Sequence, residues 1–148
     1  STLLGRLGME PGQTRPMMGE SLANLFAHRL LVPTIWFAGD AAACHFDLQT
    51  LKNLYRTASH EVIARRLLDL PEPCVITIVD NEHIHLRRSN AWRVRKQLEP
   101  AEKQCQHYVH EYSRPRLVQH DGWTVQGWPV HQPDWKREIL RSVTEAEV

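Results

Sequence analysis

The chain has 148 residues, a formal net charge of +1 and a charged fraction of 24%. This length is sufficient for one hydrophobic core, with room for an appended lobe. The near-zero net charge argues against a bulk electrostatic attraction to nucleic acid or to a membrane surface. No apolar stretch approaches the roughly 20 residues that a membrane-spanning helix requires, and no signal peptide is evident.

The cysteines predict free thiols rather than disulfides. Cys44, Cys74 and Cys105 are isolated from one another in the sequence, and none belongs to a Cys-x-x-Cys pair. An odd number of such residues is not typical of a disulfide framework or of a zinc ribbon. We therefore expect a cytoplasmic protein, because that compartment keeps thiols reduced.

The first predicted helix covers residues 20–33. A loop precedes it, since residues 9–19 contain two prolines and two glycines. The helix begins at Glu20, where the helix dipole favours a negative charge, and Pro33 ends it. Its apolar stripe consists of Leu22, Leu25, Phe26 and Leu30. On residue chemistry alone, an ordinary helix N-terminus explains Glu20.

The same helix carries a recognisable pattern of residues. Glu20 is followed by Ala23-Asn24, by Phe26-Ala27 and then by Leu-Leu and Pro33. This pattern resembles the signature helix of the ImmA/IrrE family of zinc metallopeptidases, in which the glutamate is the third zinc ligand. The other two ligands of that family are the histidines of an upstream His-Glu-x-x-His helix. The resemblance therefore implies that Glu20 is a zinc ligand.

The resemblance covers roughly residues 1–70 and carries further implications. The His-Glu-x-x-His motif is absent from the sequence, while residues 1–6 resemble the apolar tail that follows that motif. The chain is thus expected to begin just after the catalytic motif, to contain no catalytic residue of its own and to lack peptidase activity alone. The complete protein would cleave or inactivate a helix-turn-helix repressor, its partner or substrate, with a zinc cofactor.

A mainly helical lobe over residues 1–72 is expected from this pattern and from the segments that follow. Residues 34–37 predict a single turn that packs Trp36 and Phe37 on the core. Asp47 is a good N-cap for a helix at Leu48–Arg56, and Ser59 can cap a second helix at His60–Leu70. Pro71 and Pro73 end this lobe.

The two capped helices also suggest an alternative function. A short break between helices is typical of a helix-turn-helix, and the second helix carries Arg65 and Arg66. Such side chains could contact phosphates or guanine. The alternative is therefore a non-catalytic regulatory or DNA-binding module, although helix pairs with short turns are also common as scaffolding.

Residues 73–148 predict a small mixed lobe. Cys74–Val79 and His83–Arg87 read as a β-hairpin or short meander, because both are rich in β-branched or alternating residues. Pro100 opens a helix at Ala101–Tyr112. Trp123–Trp128 is strand-like, and Pro133–Leu140 is expected to be a short helical segment. The predicted fold class is thus α+β: a mainly helical zincin-like lobe followed by this small lobe.

A basic segment in the second lobe is a further candidate for nucleic-acid contact. It contains several cations and one aromatic ring without an acidic residue, and its candidate contacts are Arg87, Arg88, Trp92 and Arg93. Cations interleaved with aromatic rings bind single strands in this way. A strand edge protected by charge explains the same residues, so we expect at most weak binding to DNA.

Two histidines on the Ala101–Tyr112 helix, His107 and His110, are spaced so that both can face one side. They do not form a His-Glu-x-x-His motif or its inverse. A solvated helix face is the simpler interpretation, with metal binding as the alternative.

Overall fold

The computed structural model of the chain describes residues 32–145. The chain divides into two compact units, Ser1–Arg66 and Leu67–Val148. Residues 20–31 of the predicted Glu20 helix and the loop before it lie outside the described residues. In the part of the chain that the structure describes, no helix is both long and apolar enough to cross a membrane.

Three helices make up the described part of the first unit: α1 (Thr34–Ala43), α2 (Leu48–Leu54) and α3 (His60–Leu67), the last of which reaches one residue beyond the unit boundary. Local capping determines where α2 and α3 begin. The Asp47 carboxylate accepts hydrogen bonds from the Thr50 backbone N–H at 3.0 Å and from its hydroxyl at 2.7 Å. The Ser59 hydroxyl accepts one from the Val62 N–H at 3.1 Å.

The two capped helices confirm their predictions, although each ends earlier than expected. The prediction for residues 34–37 is only partly right. These residues begin a ten-residue helix, preceded by Pro33 in extended conformation. Phe37 is fully buried, as expected, whereas Trp36 is 62% exposed.

The second unit is built on one antiparallel sheet of five strands in the order β2-β1-β5-β4-β3. The strands are β1 (Val75–Asp80), β2 (His83–Ser89), β3 (Arg116–His120), β4 (Trp123–Gln132) and β5 (Trp135–Thr144). Helix α4 (Pro100–Tyr112) follows β2 and precedes β3 along the chain. The last strand along the chain, β5, therefore lies at the centre of the sheet.

Two of the hairpin turns follow from residues that tolerate a left-handed backbone. Asn81 and Glu82 join β1 to β2 with φ of 47° and 68°, and Asp121 and Gly122 join β3 to β4 with φ of 52° and 77°. A positive φ at both central residues matches the right-handed twist of the flanking strands. These turns set the register beside each turn, and in the β1–β2 hairpin the register shifts between Ile78 and Val79.

Helix α4 packs on one face of the sheet. Pro100 occupies its first turn, and Glu99 and Glu102 form a reciprocal capping box. Ala101, Cys105 and Val109 of the helix form a buried cluster with Val118, Val125 and Leu140 of the strands. The helix approaches β4 closely at Gly127, where a Cβ atom would lie 2.7 Å from the Cys105 sulfur.

The predicted fold class is wrong in its proportions, although both helices and strands are present. Instead of a mainly helical protein with one hairpin or short meander, a five-stranded sheet organises residues 75–144. Strand β3 was not expected, and Pro133–Leu140 is not helical. Pro133 and Asp134 instead form the two-residue turn between β4 and β5.

The physical reason for this error lies in the setting of β5. Proline is as favourable early in a β-turn as it is in the first turn of a helix. Hydrogen bonds to β4 on one side and β1 on the other then extend residues 135–144. Pairing along both edges outweighs a local helical preference.

Candidate functional site

The described residues bring together three possible metal ligands: His110, His131 and Glu138. His110 lies in the last turn of α4, His131 near the end of β4, and Glu138 near the start of β5. One ligand atom from each lies within 4.8 Å of the others. We call these three residues the His-His-Glu cluster.

The β4–β5 hairpin explains how two of these side chains meet. His131 pairs with Lys136, and Glu138 pairs with Pro129. His131 and Glu138 are therefore diagonal neighbours across the two strands, and such neighbours on one face are within reach of long side chains. Helix α4 covers that face, and its last turn adds His110.

Short contacts connect the cluster. One oxygen of Glu138, Oε2, lies 2.6 Å from Nε2 of His131 and 3.2 Å from Nδ1 of His110. The other oxygen, Oε1, accepts a hydrogen bond from the Gln106 side-chain amide at 2.9 Å. Glu138 is fully buried, whereas the side chains of His110 and His131 are 20% and 13% exposed. The cluster is thus a buried carboxylate with two imidazoles between it and solvent.

Each histidine also has a partner on its outer side. Nδ1 of His131 lies 2.6 Å from the Ser113 hydroxyl, and Nε2 of His110 lies 3.8 Å from a carboxylate oxygen of the exposed Glu82. Ser113 ends helix α4 with φ of 52°, a left-handed conformation that usually selects glycine or asparagine. Ser113 and Gln106 thus orient His131 and Glu138 through hydrogen bonds.

A second buried glutamate in the same unit provides a comparison. Glu102 is also fully buried, but both its oxygens accept hydrogen bonds from the Arg87 guanidinium at 2.8 Å. The Ser142 hydroxyl donates a further hydrogen bond at 2.6 Å. A permanent positive charge thus neutralises Glu102. Among the described residues, the partners of Glu138 are Gln106, His110 and His131, and none carries a permanent charge.

The cysteine thiols are not part of this cluster. Cys105 is buried, and desolvation raises the pKa of its thiol to about 12. Burial also raises the pKa of the Cys74 thiol above its ordinary value. Since the thiolate is the reactive and metal-binding form, both residues behave as small apolar side chains. All three cysteines, including Cys44, are free.

Both arginines of the predicted DNA-contacting helix form contacts with other residues of the chain. Arg66 is buried, and its guanidinium donates hydrogen bonds to the Val32 carbonyl at 3.1 and 3.2 Å and to the Thr34 hydroxyl. Arg65 is 30% exposed at its side chain and forms an ion pair with Glu61 at 2.8 Å. Glu20, the predicted zinc ligand, lies outside the described residues.

The basic segment contains residues in different environments. Arg87 is 4% exposed at its side chain and is held by Glu102, so its guanidinium faces inward. Arg88 and Arg93 are exposed. Trp92 is half-buried, with its ring 6.4 Å from that of Trp123. Only part of the predicted surface is therefore available to a ligand.

The sequence identified only one member of the His-His-Glu cluster. His110 was considered together with His107, which is exposed on the same helix. His131 and Glu138 were missed because the predicted helix at Pro133–Leu140 would have separated them. The available signal was the Pro133-Asp134 pair between two strand-like runs, which is typical of a turn and would have predicted the hairpin.

Comparison with known proteins provides no further assignment. No model of a known protein family matches the chain, and no curated protein sequence is similar to it.

Proposed function

We propose that this chain is part of a zinc-dependent metallo-endopeptidase that cleaves or inactivates a helix-turn-helix repressor. The observation that carries this proposal is the run from Glu20 to Pro33, which resembles the zinc-binding signature helix of the ImmA/IrrE family. The free thiols of all three cysteines support a cytoplasmic location, where such a repressor is found.

The 148 residues offer one ligand of the family's zinc site, Glu20. A working site of this type requires two histidines in addition, which the family's His-Glu-x-x-His helix supplies. When bound, zinc lowers the pKa of a coordinated water and so supplies the nucleophile for peptide hydrolysis. Because one carboxylate does not hold zinc, the chain alone is expected to have no peptidase activity.

The alternative function is a non-catalytic helix-turn-helix module. Helices α2 and α3, joined by residues 55–59, support it. The contacts of the arginines argue against it, because Arg66 is buried and Arg65 is paired with Glu61. A recognition helix needs such side chains free to reach base edges. The peptidase proposal therefore has the stronger basis.

The codons upstream of Ser1 provide the first test. We expect them to encode His-Glu-x-x-His, and the longer polypeptide to cleave a purified helix-turn-helix repressor. Glu20→Gln should then reduce cleavage by about 100-fold or more, since changes outside the ligand set already reach that size. Glu10→Gln, in the predicted loop, is the matched control. An upstream sequence without the motif, or full activity of Glu20→Gln, would contradict the proposal.

A further inference from the structure

We propose that the His-His-Glu cluster is a binding site for a divalent transition-metal ion, with a ligand set that does not include Glu20. The ligands are one ring nitrogen each from His110 and His131 and the carboxylate of Glu138. Two imidazoles and one carboxylate form a ligand set that suits zinc and ferrous iron. Three protein ligands leave a coordination position for solvent or a ligand.

The first argument is the charge of Glu138. A carboxylate removed from water is costly unless a positive charge or several hydrogen bonds compensate it. Glu102 shows how this unit compensates a permanent buried carboxylate, because Arg87 binds both of its oxygens. Glu138 is equally buried, but its partners are an amide and two imidazoles. A bound dication would give Glu138 the positive charge that Arg87 gives to Glu102.

The second argument is the geometry of the ligand atoms. Two atoms bound to one tetrahedral zinc ion lie roughly 3.3 Å apart. The distance from Glu138 Oε2 to His110 Nδ1, 3.2 Å, already matches this spacing. The distance to His131 Nε2, 2.6 Å, must widen by about 0.7 Å when an ion binds. Both histidines are partly exposed, so an ion can enter from solvent.

The third argument is that the outer contacts of a metal site are present. Ligating histidines usually bind a hydrogen-bond partner through the ring nitrogen that does not face the metal, and ligating carboxylates are themselves hydrogen-bonded. Here Ser113 contacts the far nitrogen of His131 and Gln106 donates to the second oxygen of Glu138. Glu82 lies near the far nitrogen of His110. His131 and Glu138 thus have hydrogen-bonded orienting partners, and His110 has a carboxylate nearby.

The end of α4 adds a favourable electrostatic setting. The C-terminus of a helix carries a partial negative charge that attracts cations within its last turn. The Lys136 ammonium donates a hydrogen bond to the His110 carbonyl at 3.0 Å and already compensates part of this charge. The His110 ring projects from the same turn toward Glu138.

The test uses the 148-residue chain without a polyhistidine tag, stripped of metal with a chelator. Titration with Zn²⁺ is followed by calorimetry, and titration with Co²⁺ by its visible absorption bands. We expect one ion per chain, with the intense bands of four-coordinate Co²⁺, and a higher Tm in the presence of Zn²⁺. Absence of binding would overturn the proposal and leave the cluster as a hydrogen-bonded network.

Variants locate the site. His131→Ala and Glu138→Gln are expected to weaken binding by at least about 100-fold. Since Glu138 is buried and its substitution can impair folding, His110→Ala, closer to the surface, is the second variant. The matched controls are His107→Ala, an exposed histidine on the same helix, and Glu20→Gln. Unchanged binding in the three cluster variants, or binding lost only with Glu20→Gln, would overturn the assignment.

Ser113→Gly separates an effect on the metal from an effect on the fold. Glycine removes the hydroxyl that orients His131 and also relieves the left-handed strain at this helix end. We expect roughly 10-fold weaker metal binding together with an equal or higher Tm of the metal-free chain. Unchanged affinity would overturn the orienting role of Ser113.

Discussion

Asp80 is held by a residue directly opposite on the neighbouring strand. It pairs with Arg137 in the β1–β5 register, and the guanidinium contacts both carboxylate oxygens at 2.6 and 2.8 Å. These hydrogen bonds lower the pKa of the Asp80 carboxyl below its ordinary value of 3.8. Because the folded pKa is the lower one, this pair stabilises the fold above pH 3.8, and the stabilisation is lost as the pH falls through the folded pKa.

The lowered pKa of Asp80 leads to a prediction for Asp80→Asn. At neutral pH, the free energy of unfolding should fall by about 1.5–2 kcal/mol. The difference from the parent chain should shrink below pH 3.8, because the parent carboxylate becomes protonated there. Urea unfolding between pH 2 and pH 7 measures it, and Asp134→Asn, an exposed turn residue, is the control. A difference that does not depend on pH would show that the charge is not responsible.

The packing of α4 on β4 depends on Gly127. A Cβ atom at this position would lie 2.7 Å from the Cys105 sulfur, 2.9 Å from a Val109 methyl and 3.1 Å from a Leu140 methyl. These neighbours are buried, so they have little room to move. The helix therefore requires glycine at this position for its close approach to the sheet.

Gly127→Ala should lower the free energy of unfolding by about 1–3 kcal/mol, as other overpacked cores do. Adding Cys105→Ala should recover part of that loss, because it removes the nearest atom. Gly39→Ala is the control: nothing lies near its Cβ position in helix α1, and alanine there should stabilise by about 0.5–1 kcal/mol. Denaturant unfolding of the four proteins compares them. Equal stability of Gly127→Ala and the parent chain would contradict the close packing.

Capping residues and prolines in the sequence predicted the helices that begin at them. Asp47, Ser59 and Pro100 each mark the start of a helix, and the structure has helices at all three positions. Strand β5 was missed because its conformation depends on pairing with β1, whose sequence lies about 60 residues earlier. His131 and Glu138 were missed because the cluster requires the β4–β5 register, which the predicted helix at Pro133–Leu140 excluded.

For the whole molecule, net charge and burial together predict weak interaction with DNA. The formal net charge is +1, and Arg66 and Arg87 are engaged within the fold. We expect only sequence-independent binding at low salt that weakens steeply as salt releases counterions. Replacing the exposed Arg88 and Arg93 with alanine should remove most of it.

Fluorescence anisotropy with duplex and single-stranded DNA measures this binding across a range of salt concentrations. Arg65→Ala is the informative variant, because its ion pair with Glu61 lies on the surface and its loss leaves the fold intact. Sequence-specific binding tighter than micromolar at physiological salt, abolished by Arg65→Ala, would favour the regulatory module over the peptidase.

The central position of β5 has a consequence for synthesis of the chain. The ribosome makes β1 first, and all five of its apolar or β-branched residues, Val75–Val79, are buried in the finished sheet. Strand β5, which pairs with β1 on its other edge, is made roughly 60 residues later, and this takes several seconds at about 5–20 residues per second. Until then, β1 can pair only with β2, on one of its two edges. We therefore expect the nascent second unit to fold after translation of β5. It should rely on chaperones while one edge of β1 is still unpaired.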